Sequence, residues 1–139
     1  MITRQELVDG IRFAGKRAAA AAANTKDWEH QLAHQWTSGD VFRHIAGTAG
    51  AASGLYPLFD AGVLSGIGSD RIAESNAATI SGMAGKTREE VIQAILDGQN
   101  ASADFIAGLD EADLAKVVKL GGYEMEKAEI VAQIWVHHA

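Results

Sequence analysis

The sequence predicts an all-α protein, and within that class a four-helix bundle. Apolar residues recur at intervals of three and four in four long segments, which is the period of a helix with one buried face. No segment shows a convincing strand pattern, and there is no internal repeat. With 139 residues the chain has the length of one ordinary domain, so we expect residues 1–139 to share a single core.

The first helix is predicted to begin at a capping box. The Thr3 hydroxyl can accept a hydrogen bond from a first-turn N–H, and Glu6 can reach back to the N–H of Thr3. The alanine-rich run 18–23 continues the helix with good propensity and little bulk. We therefore expect a neighbouring helix to approach this run closely, and the helix to end near Asn24 and Thr25.

The segment 26–36 is predicted to be a connection, with at most one helical turn. His30 and His34 are four residues apart, so a helix would bring both to one face, as a pair of metal ligands requires. The alternative is two solvent-facing histidines in a polar loop. We favour the loop, because the segment lacks a long apolar stripe that would hold a site rigid.

The second helix is predicted to begin at Thr37, which forms a second capping pattern with Asp40. Asp40 also suits the positive end of the helix dipole. His44 follows one turn later, at the edge of the apolar face. A lone histidine there is more often a satisfied core or boundary residue than a ligand. Pro57 is expected to kink or end this helix, and residues 60–70 to form a glycine-rich loop.

Three further elements are expected before the last helix. Residues 72–84 form a weak helix, and a capping box from Thr87 to Glu90 opens a strong one with an apolar stripe to Leu109. An acidic connection over 109–114 and a brief extended piece over 116–120 follow.

The last helix is predicted to begin within residues 123–127. At about 100° per residue, His138 falls near the centre of its apolar face and His137 at the edge, with Gln133 one turn before His137. No helix-ending signal precedes Ala139. The helix is therefore expected either to fray here or to continue in a longer parent chain.

The composition of the chain excludes several kinds of site and partner. The absence of cysteine excludes a disulfide framework, a thiolate metal site and a cysteine nucleophile, and is compatible with a reducing cytoplasm. The chain has 12 Lys and Arg against 18 Asp and Glu, a formal charge of −6, and no basic cluster, so nucleic acid is not an expected partner. With no long apolar run and no signal-peptide pattern, we expect a soluble, cytoplasmic protein with no membrane partner.

Two stretches resemble one known family. Trp36, Thr37, Asp40 and His44 match the second-helix signature of the DinB/YfiT-like superfamily, most closely the metal-binding domain of its mycothiol-dependent maleylpyruvate isomerase branch. Residues 133–137, Gln-Ile-Trp-Val-His, are similar to the last-helix pattern of that branch, in which the first position is a carboxylate. The helix after Thr87 and the acidic segment 109–114 that follows it are also similar to that family, so the resemblance spans nearly the whole chain.

The resemblance implies an up-down four-helix bundle with a long second crossover. It implies a divalent ion, zinc or nickel, between the second and fourth helices, with His44 and His137 as ligands and Gln133 at the third position. An amide oxygen brings no charge to the ion. Three alternatives follow from this substitution: the metal affinity is lowered, His138 replaces the carboxylate as a ligand, or the site is empty.

The resemblance also implies a function, thiol-dependent isomerisation or transfer with a low-molecular-weight thiol as cosubstrate. The second, smaller domain of the full isomerases has no counterpart in these 139 residues, which argues against the isomerase reaction itself. The alternative is a non-catalytic module with a degraded metal site that binds a small-molecule ligand or forms a homodimer. A third reading is a bundle whose histidines are merely buried and hydrogen-bonded.

Overall fold

The computed structural model describes residues 2–32, 36–60, 69–120 and 123–137. This part of the chain is mostly helical, with one two-stranded sheet, and the all-α prediction is confirmed at that level. Within the described ranges, no helix is both long and apolar enough to cross a membrane. The elements are α1 (Arg4–Asn24), α2 (Ser38–Ala49), α3 (Ala52–Asp60), α4 (Ser69–Met83), α5 (Arg88–Ala107), α6 (Glu111–Leu114), β1 (Val117–Leu120), β2 (Tyr123–Glu126), α7 (Lys127–Ala132) and a π-helix (Gln133–His137).

All three predicted capping boxes are present, and they begin α1, α2 and α5. In each, the threonine hydroxyl accepts from the backbone N–H three residues on, and the acidic side chain accepts from the N–H of the threonine. Two otherwise unpaired N–H groups at each helix start are thereby satisfied. The pairs are Thr3 with Glu6, Thr37 with Asp40 and Thr87 with Glu90.

Helices α1 and α5 pack along each other, and Gln99 joins them to the π-helix. A Cβ placed at Gly15 of α1 would lie 2.8 Å from the Cβ of Gln99, so this close approach requires glycine. The buried Gln99 amide donates to the carbonyls of Ile11 and Trp135, at 2.9 Å each. Helix α2 lies against α5 and α4.

The buried apolar side chains form two clusters. The α7 core consists of Leu7, Val8, Ile11, Ala52, Tyr56, Phe59, Ala103, Ile106, Leu114, Ala128, Ile130, Val131, Ala132 and Trp135. The Trp28 core consists of Ala18, Ala19, Ala22, Trp28, Ile45, Ala46, Val91 and Ile95. Three alanines of the run 18–23 belong to the Trp28 core, which confirms the predicted close approach of neighbouring helices.

The second helix does not continue to Pro57, contrary to prediction. It ends at Ala49, and a new helix, α3, contains Pro57 in its interior. The break follows Gly50, the C-cap of α2, and α5 contacts both of its sides: the Ser102 hydroxyl donates to the Ala49 carbonyl at 2.5 Å and accepts from the N–H of Ala52 at 3.4 Å. Pro57 is tolerated because it lies on the exposed side of the short α3, where water can replace the missing hydrogen bond.

The last helix begins at Lys127, within the predicted range. The sheet was not predicted: residues 123–126 are strand β2, which pairs antiparallel with β1 in the register Leu120 to Tyr123. Met125 packs on the α7 core, whereas Tyr123 is 74% exposed, so the strand lacks the regular alternation of buried and exposed side chains that would have marked it in the sequence. The predicted loop over 60–70 has helical ends, and its centre, 61–68, lies outside the described residues.

Candidate functional site

His44 is buried on α2, with 5% of its surface exposed, and faces α4. Its Nδ1 lies 2.9 Å from the Thr79 hydroxyl oxygen. That hydroxyl donates its one hydrogen to the Asn76 carbonyl at 2.7 Å, so it accepts from His44. We therefore infer that Nδ1 of His44 carries a proton and donates it to Thr79.

Glycine at position 47 makes this contact geometrically accessible. A Cβ at Gly47 would lie 2.7 Å from the Cβ of Thr79 and 3.3 Å from its Cα. Any larger residue would push α4 away from α2 and lengthen the bond between Thr79 and His44. Gly47 thus sets the distance between α2 and α4 at His44.

Trp36 forms the next part of the His44 environment. The two ring centroids are 5.4 Å apart and the planes are tilted by 54°. The Trp36 carbonyl accepts from the N–H of Leu32 at 2.7 Å, which fixes the backbone ahead of the α2 cap. Trp36 therefore covers the imidazole from the start of α2, and Thr79 holds it from α4.

Asp40 has a structural role rather than a place beside the imidazole of His44. One of its oxygens accepts from the N–H of Thr37 at 3.1 Å, and the other binds Arg43 at 3.1 Å. Burial raises the pKa of the Asp40 carboxyl, but the hydrogen bonds from Thr37 and the Arg43 guanidinium outweigh it and leave the pKa below its ordinary value. Asp40 therefore stays ionised and anchors the α2 start.

The C-terminal candidates lie in a different environment. Gln133 and His137 are exposed at the two ends of the π-helix, and Trp135 between them is buried. The Trp135 Nε1 donates to the Thr48 carbonyl on α2 at 3.0 Å, so tryptophan makes the direct contact with the helix of His44. A π-helix has more residues per turn than an α-helix, so the prediction at about 100° per residue was wrong for this segment.

His138 and His34 lie outside the described residues. His30 is exposed in a non-helical segment, where its carbonyl accepts from the N–H of Ser38 at 2.9 Å. For His30, the loop interpretation is confirmed. In the parts of the chain that the structure describes, no three His, Asp or Glu side chains are grouped so that they could hold a metal ion.

A second polar cluster was not predicted from the sequence. Lys127, with no exposed side-chain surface, donates to Asp60 at 2.6 Å and to the two oxygens of Asp113 at 3.3 and 3.4 Å. The Tyr56 hydroxyl donates to Asp113 at 2.5 Å, and the ammonium lies 5.1 Å from the Tyr56 ring centroid. We call these four residues the Lys127 cluster; it joins α3, α6 and α7.

The charges of the Lys127 cluster support one another. The hydrogen bond from Tyr56 lowers the pKa of the Asp113 carboxyl, and Lys116 and Lys127 add to this effect against the opposing effect of burial. Burial, followed by Asp113 itself, raises the pKa of Tyr56 well above its ordinary value, so the phenol remains a donor. A readable signal existed: Lys127 precedes Ile130, Val131 and Ile134 at helical spacing, on the apolar face.

Comparison of the chain with models of protein families and with curated proteins finds no match. The DinB-like resemblance therefore depends on the residues of the two stretches, 36–47 and 133–137, and on the segments between them.

Proposed function

We propose that this protein is a DinB-like, metal-dependent enzyme in which His44 is the central ligand. The observation that supports this best is the chain of hydrogen bonds from His44 to Thr79 and Asn76. Histidine ligands of metal sites usually donate their second ring N–H to an oxygen atom, which fixes the tautomer and the ring orientation. Here that donor is Nδ1, so Nε2 is the coordinating nitrogen in this proposal.

The proposal includes the up-down four-helix arrangement in one domain. Its helices are α1, α2, α5 and the last helix, which consists of α7 and the π-helix; α3 and α4 belong to the long second crossover. The packing of α1 along α5, of α2 along α5, and of α1 against the last helix supports it.

The remaining ligands of the proposed site are His137 and Gln133, and His138, which lies outside the described residues, is an alternative to Gln133. A π-helix is rare and frequently occurs at functional sites, and here it spans both Gln133 and His137. His44 suits a zinc or nickel ion, since an imidazole nitrogen is a common ligand of both metals and its ring is oriented by Thr79. Gln133 fits less well, because its amide brings no charge, and its exposure agrees with a weakly held ion.

The proposed reaction is an isomerisation or group transfer that depends on a low-molecular-weight thiol. A divalent ion bound at Nε2 of His44 would lower the pKa of such a thiol toward neutral pH. Thr79 orients the imidazole, and Trp36 covers one of its sides. We place the protein in the cytoplasm, where small thiols are kept reduced, and expect a homodimer.

Metal analysis of untagged protein tests this function. We expect near-stoichiometric zinc or nickel after purification, and a rise in melting temperature when the metal is added to stripped protein. A ligand at about 100 times its Kd stabilises the native state by about 2.7 kcal/mol, so the shift is measurable. His44→Ala should abolish it, and the exposed His30→Ala should retain it. Protein without metal, with a melting temperature insensitive to zinc and nickel, would refute the proposal.

The second candidate is a non-catalytic module that binds a small ligand or a second copy of itself. The exposure of both Gln133 and His137 favours it, because an intact metal site would bury them. Light scattering and native mass spectrometry distinguish the two functions. A dimer or a co-purified organic ligand in metal-free protein supports the module, and a ligand-free monomer counts against it.

A further inference from the structure

Helix α4 differs from the other long helices in how little of it is buried. Helices α1, α2 and α5 each bury a full face, whereas none of residues 72–83 is fully buried. Ile72 is 52% exposed, and Met83, which packs against the Trp28 core, is only partly buried. A segment with few buried apolar contacts opens at a lower free energy than the core.

The attachment of α4 is confined mainly to α2. Thr79 makes the specific contacts there: its hydroxyl accepts from His44, and its backbone and Cβ lie against Gly47. Thr79 therefore contributes to the attachment of α4 and covers the imidazole at the same time. Detachment of α4 would expose the Nδ1 side of His44.

The C-terminal end of α4 contains two glycines, Gly82 and Gly85, whose presence packing does not explain. A Cβ at either position would meet no atom within 4 Å, and neither has a backbone conformation that disfavours L-residues. The remaining property of glycine is its conformational freedom. These two positions are therefore suited to absorb the dihedral changes of a hinge between α4 and α5.

We propose that α4 is a lid over His44, which opens by local detachment about the turn at Gly82 and Gly85 and closes through the hydrogen bond between His44 and Thr79. In the closed state the imidazole is buried with its proton on Nδ1. In the open state the Nδ1 side of the imidazole is exposed to solvent. The lid controls access to His44 whether or not the histidine binds a metal, so this inference does not depend on the proposed function.

Hydrogen exchange measured by mass spectrometry tests the opening. A helix of this length is marginal in isolation, so detached α4 loses its protection. We expect amides of α4 to exchange by local opening, faster than those of α1 and α5, which require global unfolding. Exchange of α4 at the rate of α5 would refute the lid.

Reaction of the histidines with diethyl pyrocarbonate tests whether the same opening exposes His44. The exposed His30 and His137 are internal references. Thr79→Val should raise both α4 exchange and His44 modification by about five- to tenfold, since His44 loses its acceptor. Thr48→Val is the matched control, because that hydroxyl donates to the carbonyls of His44 and Ile45 in its own helix.

Substitutions at Gly82 and Gly85 test the hinge separately. Gly82→Ala and Gly85→Ala introduce no clash, and each should slow α4 exchange and His44 modification by about two- to fivefold, because alanine restricts the freedom that the open state gains. Gly54→Ala, also free of clashes but outside α4, is the control. If Thr79→Val and Thr48→Val behave alike, or the glycine variants leave His44 modification unchanged, the lid is ruled out.

Discussion

The two polar clusters of this protein, around His44 and around Lys127, are built in opposite ways. His44 is held by a neutral hydrogen bond to α4, a helix without a fully buried residue in 72–83. Lys127 is held by carboxylates on two other elements, beside the α7 core. The first arrangement costs little to open and the second much more. Binding and catalysis usually draw on the weakly stabilised parts of a fold, which favours His44 as the functional group and Lys127 as a structural one.

Removal of both carboxylates of the Lys127 cluster should have the largest effect. Asp60→Asn combined with Asp113→Asn leaves a fully buried ammonium without a counter-charge and should cost about 3–5 kcal/mol in the free energy of unfolding. Lys127→Met should cost far less, about 1 kcal/mol or below, because a similar apolar volume replaces the lysine and both carboxylates reach water. Urea denaturation measures both. A larger loss in Lys127→Met would contradict this account.

Two glycine substitutions compare how firmly α5 and α4 are packed against α2. Gly98→Ala would place a Cβ 2.7 Å from both the Gly50 nitrogen and the Ala49 Cβ, and should cost about 1–3 kcal/mol through overpacking. Gly47→Ala creates an equally short contact, 2.7 Å to Thr79, but α4 can move away, so its global cost should be smaller. Chemical denaturation gives the costs. Equal losses would show that α4 is as firmly packed as α5.

The pH dependence should follow Asp113. Its pKa is lowered in the folded protein, so its stabilising contribution is fully present above about pH 5, where the carboxyl is ionised in the unfolded chain as well. As the pH falls toward the folded pKa, the contribution is lost. Below about pH 5, the free energy of unfolding of Asp113→Asn should therefore fall less steeply than that of the wild type, by at most about 1.4 kcal/mol per pH unit. The same pH dependence in the variant and the wild type would show that Asp113 does not cause it.

The smallest expected effect concerns the helix cap ahead of His44. Thr37→Ala removes the hydroxyl that caps α2 and should cost about 1 kcal/mol. Thr37→Ser keeps the oxygen and should restore most of the loss. Thermal unfolding measures both. If Thr37→Ser is as unstable as Thr37→Ala, the methyl group rather than the cap explains the cost.

The sequence predicted the His44 region better than the Lys127 cluster for a physical reason. The cap from Thr37 to Asp40 and the helical position of His44 involve residues within one or two turns. The Lys127 cluster joins Tyr56, Asp60 and Asp113 from distant parts of the chain. Pairwise contacts over such separations leave no local pattern beyond the unusual place of a lysine on an apolar helix face.

The metal ligands predicted at the C-terminal end remain a prediction. The 133–137 motif marked a functional candidate by resemblance, but the regular helix period did not foresee the π-helix there. The exposure of Gln133 and His137 depends on that local widening and on Trp135, whose indole fills the space next to α2. Packing of this kind follows from the shape of the neighbouring helices and has no signature within five residues of sequence.

The sequence by itself determined where α1, α2 and α5 begin, because a capping box is complete within four residues. It also determined the helical class, through the period of its apolar residues. Only the tertiary structure decided that Ser102 of α5 bonds across the break between α2 and α3, and that Thr79, 35 positions from His44, contacts the imidazole. Those outcomes depend on hydrogen bonds between separate elements, and such bonds exist only once the helices have packed.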